Sequence, residues 1–322
     1  MINCAIIGNG KMGKIRKDAI ISNGGFVSSM CDPLKNNSSI DLLLGDEEID
    51  AVFICTPNYI NKELTIRALE SGKHVFCEKP PAFNSDEVLE VIETEKKCVG
   101  KLMYGFNHRH HKSIKYIKNA VDNNKYGNIL WMRGRYGKSS DKSFFNGWRS
   151  KKELSGGGIL IDQGIHMLDL FLYIAEDFDE VHSIISNNFW NLEGIEDNVF
   201  SIFKNNKTGV AASLHSTMTQ WRHLFALEIF FEKGYMVLNG LKTPSGTYGQ
   251  EILTEATNRS VSPVAIWSSE NRMEYSVDES WESEVKYFFG SIKSDSPVTI
   301  GSSTDALKLM KIIDRIYDER VD

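Results

Sequence analysis

Five short apolar runs alternate with helical patterns over the first hundred residues, and this alternation constrains the fold more than any other feature. The runs are typical of strands buried on both faces and cover 2–7, 26–31, 51–55, 74–77 and 101–106. Helical segments such as 59–71 and 85–97 lie between them. Strand, helix and strand joined by short connections predict a parallel sheet with helices on both faces.

The later chain has a different pattern, in which strands follow one another with only turn residues between them. After a helix over 111–124, strands are predicted over 129–136, 181–186, 199–203, 209–216, 225–231 and 235–238. Two helices follow, around 280–291 and 304–317. We therefore predict an α/β protein with a doubly wound parallel sheet in residues 1–120. Residues 121–322 are predicted to form an α/β domain with a large, mostly antiparallel open sheet.

A glycine-rich turn, GNGKMG over 8–13, directly follows the first predicted strand. In a βαβ unit the first glycine allows a tight turn, the second lets a pyrophosphate approach the backbone, and the third lets helix and strand pack closely. The phosphates then lie at the positive end of the helix. A bound dinucleotide would contact Gly8, Asn9, Gly10, Lys11, Met12 and Gly13.

An acidic residue ends the second predicted strand, in the sequence Cys-Asp32-Pro33. Asp32 lies where a carboxylate reaches the hydroxyls of the adenosine ribose, and a carboxylate there disfavours a 2′-phosphate. NAD is therefore predicted in preference to NADP, with Asp32 and Pro33 among the cofactor contacts. Lys35 is the one nearby residue that could weaken this preference. An Asp-Pro turn beside a structural glycine loop is the alternative.

Two further strand ends would face the cofactor, because ligands bind outside the carboxyl ends of strands in an open α/β sheet. The predicted cofactor contacts there are Thr56, Pro57 and Asn58, Glu78 and Lys79, and Asn107 after the fifth strand. Lys79 stands between an apolar strand and two prolines, where desolvation and an oxidised nicotinamide would favour a neutral amine suited to proton transfer. An ordinary surface lysine is the alternative.

Residues 156–166 read GGGILIDQGIH, so three glycines run into an acid and a histidine at helical spacing. We predict a helix that starts near Leu160, with Asp162 and His166 one turn apart and Asp169 within reach of His166. A histidine flanked by carboxylates is suited to accept a proton from an alcohol. The glycines are interpreted as a loop close to bound ligands, where a side chain would intrude. The alternative is an ordinary surface pair.

Two other clusters could contact a substrate. His108 and His110 would share one face of a strand, but no third ligand at a suitable spacing accompanies them, so no metal site is predicted. His108 and Arg109 are instead candidate substrate contacts. Trp221 and Arg222 offer an aromatic face and a cation for phosphate or carboxylate. A buried aromatic with a solvated arginine is the alternative for that pair.

Composition excludes several classes of partner and compartment. The net charge of −6 attracts neither nucleic acid nor anionic lipid. The five cysteines form no CxxC pair, and several lie in apolar runs, as expected in a reducing cytoplasm. The N-terminus lacks a signal-peptide design, and no apolar run approaches membrane-spanning length. These features predict a cytoplasmic protein without nucleic-acid or membrane partners.

Four motifs together resemble the glucose–fructose oxidoreductase / inositol dehydrogenase / rhizopine catabolism (Gfo/Idh/MocA) family. They are the 8–13 loop, TPN at 56–58, GKHVFCEKP at 72–80 and GGGILIDQGIHMLDL at 156–170, and SWESEVKYFFGSI extends the likeness towards the C-terminus. The resemblance implies a Rossmann domain followed by an α/β domain whose open sheet makes dimer or tetramer contacts. It also implies NAD(P)-dependent chemistry at a secondary alcohol of a sugar, cyclitol or sugar nucleotide.

The resemblance also implies roles for individual residues. Lys79 matches a lysine near the reacting carbon, often followed by a cis peptide bond, and His166 matches the usual proton acceptor. Asp162 would orient both, and Trp148-Arg149 match a pair near cofactor and substrate. Which of Lys79 and His166 accepts the proton stays open. The family usually has a histidine where Asn61 stands, a departure to which we assign no chemical role.

The predicted function is that of an NAD-dependent dehydrogenase, homodimeric or homotetrameric through the later sheet. Its substrate would be a sugar or a sugar nucleotide, with the likeness favouring precursors of surface polysaccharide. A catabolic dehydrogenase of inositol or free sugars is one alternative. A non-catalytic NAD-binding regulator is another, although such proteins tend to lose the lysine or the histidine that this chain retains.

Overall fold

The computed structural model describes residues 1–33, 38–257 and 267–319. These residues form two compact units. The first comprises Met1–His110, Glu153–Gly156 and Glu279–Lys311; the second comprises His111–Lys152, Gly157–Asp278 and Ile312–Asp322. Each unit therefore draws on segments that are far apart in sequence. The division into linear domains at residue 120 stays a prediction.

The described residues form strands and α-helices, numbered in chain order. The strands are β1 (Asn3–Ile7), β2 (Phe26–Cys31), β3 (Ala51–Ile54), β4 (His74–Glu78), β5 (Leu102–Gly105), β6 (Ile129–Ser139), β7 (Glu180–Ser186), β8 (Asn198–Lys204), β9 (Ala211–Thr217), β10 (Thr219–Phe231), β11 (Gly234–Asn239), β12 (Glu251–Thr257) and β13 (Asn271–Tyr275). The α-helices are α1 (Lys11–Ser22), α2 (Ser38–Leu44), α3 (Asn61–Glu70), α4 (Ser85–Glu95), α5 (Lys112–Asp122), α6 (Lys152–Ser155), α7 (Ile165–Ala175), α8 (Ser280–Lys293) and α9 (Ser303–Asp318).

The first unit contains a parallel sheet, in the order β2-β1-β3-β4-β5. Strands β3 and β5 are buried along their whole length, because helices cover both faces. An aromatic cluster packs under this sheet, where Phe53 and Phe76 stack at 5.0 Å and Phe288 of α8 meets both edge-on. The prediction of a doubly wound parallel sheet is confirmed.

The second unit contains the larger sheet, in the order β13-β12-β11-β10-β6-β9-β8-β7 among the described residues. Neighbouring strands pair antiparallel, except that β6 and β9 pair in parallel. Helix α7 lies against one face, and its residues are almost all buried. The other face carries exposed apolar side chains such as Ile184 and Ile202. This confirms the mostly antiparallel, open sheet.

Strands β12 and β13 were not predicted, because their residues do not show the alternation of a half-buried strand. Glu251 and Glu255 of β12 are buried, with 1% and 6% of their surface exposed. His111 contacts the Glu251 carboxylate at 2.9 Å, and Tyr126 donates to Glu255 at 2.6 Å. Only these tertiary partners allow carboxylates to occupy buried strand positions.

The helical stretch 152–175 is, within the described ranges, the one candidate for a membrane span by length and composition. Of its most apolar window, 83% is buried inside the protein. A buried core helix passes the same test, so this stretch is weak evidence for a membrane span.

Candidate active site

The glycine turn has the geometry that the sequence predicts for a dinucleotide loop. Gly8 has φ +111°, and a side chain there would collide with the Cys55 carbonyl. A side chain at Gly13 would collide with the Gly8 carbonyl, whereas one at Gly10 would meet nothing within 4 Å. The first and third glycines are therefore required by the protein's own backbone. The open space at Gly10, at the start of α1, fits a pyrophosphate.

Asp32 follows β2 directly and lies beside this turn. The Gly8 amide donates to the Cys31 carbonyl at 2.8 Å, which joins the turn to the end of β2. Asp32 and Pro33 are both partly buried there. The arrangement fits the adenosine ribose of a dinucleotide, because β1 and β2 are neighbours whose carboxyl ends share one edge. Lys35 lies outside the described residues.

Asn61 joins the two polar segments that follow β3 and β4. Its side-chain amide donates to the carbonyls of Glu78 at 3.3 Å and Pro80 at 3.0 Å, and its oxygen accepts from Thr56 at 2.8 Å. Asn61 is fully buried, and the Lys79–Pro80 peptide bond is cis. Sequence reasoning assigned Asn61 no role, although its place three residues after the TPN asparagine was a usable signal.

Lys79 is partly buried at the carboxyl end of β4. Nearby, Asn58 donates from its side chain to the Ser155 carbonyl at 2.8 Å. The segments after β3 and β4 are thus held by side-chain amides, and Lys79 projects from a constrained backbone.

In the second unit, Asp162 is held by two cations. Lys138 of β6 contacts one carboxylate oxygen at 3.1 Å, and Arg149 contacts the other at 3.3 Å. The Arg149 guanidinium lies over the Trp148 ring at 4.3 Å, which supports it in this position. Asp162 itself is 16% exposed at its side chain, so a ligand can reach it. Lys138 was not identified from the sequence, because alternation along β6 does not show which end of the strand meets Asp162.

His166 and two tyrosines lie near Asp162. His166 is 7% exposed, and its ring meets the Tyr136 ring edge-on at 6.1 Å. The Tyr248 hydroxyl donates to the Gln163 side chain at 3.2 Å, and its ring lies 5.2 Å from that of Tyr136. Burial raises the pKa of Tyr136 and of Tyr248, so both phenols stay protonated. Neither tyrosine was identified from the sequence.

The helix that carries Asp162 and His166 differs from the predicted one. Residues Leu160–Gly164 form a π-helical turn, and the α-helix starts only at Ile165. The helical stretch begins at Leu160 as predicted, but Asp162 lies in the π turn and His166 in the first turn of α7, so the stretch is not α-helical throughout. Such π turns often occur at functional sites.

The three glycines before this turn are needed for internal packing. Gly156 has φ +85°, a side chain at Gly157 would collide with the Tyr317 hydroxyl, and one at Gly158 would collide with the Glu196 carbonyl. The buried Glu196 carboxylate accepts from the Gly158 amide at 2.8 Å and the Leu160 amide at 2.9 Å. Gly158 therefore lets this segment approach Glu196, and the predicted closeness of the glycines to a bound ligand stays a prediction.

The remaining candidates have mixed outcomes. His108, Arg109 and His110 lie buried in a 3-10 turn rather than on a strand face, and Arg109 pairs with Asp305 at 2.9 Å. Asn107, in the same turn, donates to Ser280 at 3.3 Å. Over the described part of the chain, no three His, Cys, Asp or Glu side chains are grouped to hold a metal ion.

Trp221 lies in an irregular part of β10, between Thr219 and Leu224, where the pairing with β6 shifts register. Its side chain is 99% exposed, so the alternative of a buried aromatic is wrong. The contact of Trp221 and Arg222 with a sugar stays a prediction.

Comparison with known proteins identifies the family. Residues 27–106 match the family model described as the oxidoreductase family, NAD-binding Rossmann fold, and residues 114–237 match the GFO/IDH/MocA C-terminal domain. The chain belongs to the Gfo/Idh/MocA oxidoreductase family. The resemblance that the motifs indicated is confirmed.

Curated relatives of this Gfo/Idh/MocA protein include sugar and cyclitol dehydrogenases. D-glucoside 3-dehydrogenase of Escherichia coli is 38% identical over 142 residues, which are 44% of this chain and 39% of that protein. Myo-inositol 2-dehydrogenase of Thermotoga maritima is 25% identical over 274 residues, 83% of this chain and 77% of that one. The alignment with the first relative therefore spans well under two thirds of its length.

A solved structure confirms the fold of this family member over nearly its whole length. Levoglucosan dehydrogenase in complex with NADH and levoglucosan superposes with a TM-score of 0.85, at 21% identity, covering 99% of this chain and 96% of that one.

Gly158→Ala is expected to destabilise the protein by roughly 1–3 kcal/mol, because the added methyl meets a backbone carbonyl that cannot rotate away. Chemical denaturation monitored by circular dichroism measures the change. Gly290→Ala is the matched control, since Gly290 lies in α8 with nothing within 4 Å. The control should gain up to about 1 kcal/mol. Equal stability of Gly158→Ala and the wild type would show that the glycine is not required for packing.

Proposed function

We propose that this protein is an NAD-dependent dehydrogenase that transfers a hydride between nicotinamide and a secondary alcohol carbon of a sugar or sugar nucleotide. The observation that carries the proposal is that a member of this family retains Lys79, Asp162 and His166 together with an open dinucleotide turn at Gly10. Relatives named as dehydrogenases of D-glucosides, levoglucosan and glucose 6-phosphate support the sugar class.

The proposed chemistry separates hydride and proton. NAD supplies the hydride acceptor when bound, so the protein must take the hydroxyl proton as the carbon–hydrogen bond breaks. His166 is the proposed proton acceptor, and Lys79 the donor of a hydrogen bond to the reacting oxygen. Asp162, paired with Lys138 and Arg149, would accept hydrogen bonds from sugar hydroxyls and orient the ring.

The charges around Asp162 favour a substrate with an anionic group. Lys138 and Arg149 contribute two positive charges against the single negative charge of Asp162. Burial and the Lys138 charge lower the pKa of His223, so that ring adds no charge at neutral pH. The two cations beside Asp162 support a sugar nucleotide over a neutral polyol, because they are donors suited to a phosphate. A 3-ketoreductase crystallised with NADP and a TDP compound is among the structures of this fold.

His166→Ala is expected to lower kcat by about 10²–10⁴-fold, because it removes the proton acceptor, and to leave NADH binding intact. NADH formation is followed with NAD and a panel of nucleotide sugars, sugar phosphates, free sugars and inositols, with Lys79→Ala beside it. His74→Asn, at the opposite end of β4 from Lys79, is the control and should retain activity.

Full activity of His166→Ala would remove His166 from the mechanism. Turnover of free sugars or inositols but not of nucleotide sugars would favour the catabolic alternative. Absence of turnover in both directions, with NADH still bound, would contradict the enzyme proposal and favour an NAD-binding regulator.

NAD is the proposed cofactor because Asp32 would repel the 2′-phosphate of NADP. The wild type is expected to prefer NAD by about 100-fold in kcat/KM, and Asp32→Ser should lose most of that preference. Steady-state kinetics with both cofactors measures the ratio. Asp18→Ser, an exposed carboxylate of α1, is the control. An unchanged ratio in Asp32→Ser would show that another residue selects the cofactor.

The open face of the larger sheet is the proposed oligomer interface. Ile184, Phe200 and Ile202 of β7 and β8 are 74%, 49% and 58% exposed, an apolar patch of the kind that marks protein contacts. We expect the mass in analytical ultracentrifugation to be two or four times the 36.4 kDa of one chain. Ile202→Lys should shift it to monomer, and Leu42→Lys, at an exposed leucine of α2, should not. A monomeric wild type would contradict this interface.

A cytoplasmic location is proposed from the cysteines. All five are free in the structure, and burial raises the pKa of the Cys4 and Cys77 thiols to about 12. Thiols of this kind serve as packed apolar groups, which suits a reducing compartment.

A further inference from the structure

Arg16 of α1 is completely buried and makes four close contacts. Its Nε lies 2.7 Å from the Glu78 carboxylate, and its Nη1 lies 2.6 Å from the Glu284 carboxylate. Its guanidinium carbon lies 4.3 Å from the centre of the Phe76 ring and 4.8 Å from that of Trp281. The planar cation is therefore held by charges at its edges and by aromatic rings over its plane.

Stability alone does not explain this cluster. Burying three charged groups costs more solvation than a well-packed apolar cluster of similar volume, and replacing such clusters by apolar residues is often neutral or stabilising. Burial lowers the pKa of Arg16, but the charges of Glu284 and Glu78 raise it further, so the guanidinium stays charged. The cluster is thus one cation between two anions, with both pairs essentially excluded from water.

The position of the cluster points to the segment that carries Lys79. Arg16 lies on the helix that starts at the glycine turn, and Glu78 is the last residue of β4, directly before Lys79. Gly105 of β5 leaves the necessary space, since a side chain there would contact both the Arg16 guanidinium and the Glu78 carboxylate. Because the Asn61 amide donates to the Glu78 carbonyl, Glu78 is held at its side chain and at its backbone.

We propose that Arg16 is a positioning residue for Lys79: it holds the Glu78 side chain, and Glu284 of α8 holds Arg16. The inference rests on the proposed dehydrogenase function for its kinetic test. Through Glu284, helix α8 thereby supports the position of Lys79. A shift of the Lys79 ammonium by about 1 Å would lower turnover by about 10²-fold, since hydrogen bonding to a reacting oxygen depends on close alignment.

Two substitutions test the proposal without leaving bare carboxylates. Arg16→Lys keeps the positive charge but replaces the planar fork, so it cannot reproduce both pairs and both ring contacts. Glu284→Gln keeps the shape of the Glu284 side chain and removes the negative charge that pairs with Arg16. Lys73→Met is the matched control: Lys73 is also a buried cation, but it lies at the opposite end of β4 and donates to the carbonyls of Asp46 and Ile49.

Arg16→Lys and Glu284→Gln are expected to lower kcat by about 10- to 100-fold, with the Kd for NADH within about twofold of the wild type. Lys73→Met should lower the melting temperature and leave kcat unchanged, because Lys73 lies at the opposite end of β4 from Lys79. Wild-type kcat in folded Arg16→Lys and Glu284→Gln would overturn the proposal. A loss of kcat in Lys73→Met as large as in these variants would also overturn it. A general loss of stability would then explain the lower kcat.

A second readout needs no substrate. The rate at which Lys79 reacts with an amine-acylating reagent is measured by peptide mass spectrometry between pH 7 and pH 10, with the exposed Lys17 as internal reference. We expect the Lys79 rate to change by roughly threefold or more in both variants, and the Lys17 rate to stay constant. Unchanged Lys79 labelling would overturn the positioning role even if the wild type oxidised no sugar. Altered labelling in a protein without turnover would support the positioning role and contradict the dehydrogenase proposal.

Discussion

A buried carboxylate must be matched by donors, and this constraint shapes both units of the protein. Glu78 is paired with Arg16, Glu196 accepts from the amides of Gly158 and Leu160, and Glu251 contacts His111. In each case the donor comes from a segment far away in sequence. An unpaired buried charge costs several kcal/mol. Removing one member of such a pair is therefore strongly destabilising. The backbone around each carboxylate is therefore held in one arrangement.

In each unit, one of these carboxylates supports residues that are proposed for chemistry. In the first unit, Glu78 directly precedes Lys79, and the amide of Asn61 fixes the same turn from the other side. In the second, Glu196 holds the glycine run, so the π turn that carries Asp162 starts from a constrained point. The residues proposed for chemistry thus project from segments whose geometry other side chains determine. Such support is what hydride transfer requires, because the protein contributes alignment and a proton acceptor.

Much of the fold could be predicted because, in many segments, the local sequence pattern favours the same element that the tertiary structure contains. Strands β3 and β5 of the parallel sheet are apolar runs, and burial on both faces makes such a run visible without knowledge of its neighbours, whereas the edge strand β2 is partly exposed. The glycine turn is visible as a motif of adjacent residues, and Gly13 meets the Gly8 carbonyl within the turn, whereas Gly8 meets the distant Cys55 carbonyl. Strand β12 was missed because its buried carboxylates look polar in sequence and become compatible with burial only through Tyr126 and His111.

The chain's own sequence determined the family, the dinucleotide turn and the identities of Lys79, Asp162 and His166, because these are carried by motifs of adjacent residues. Only the tertiary structure decided what surrounds them. Lys138 has no local pattern that marks it, and the two carboxylates that pair with Arg16 lie 62 or more residues away. The requirement for glycine at Gly158 was likewise decided by a distant residue, Glu196. Packing brings these residues together, and packing distances cannot be read from spacing along a chain.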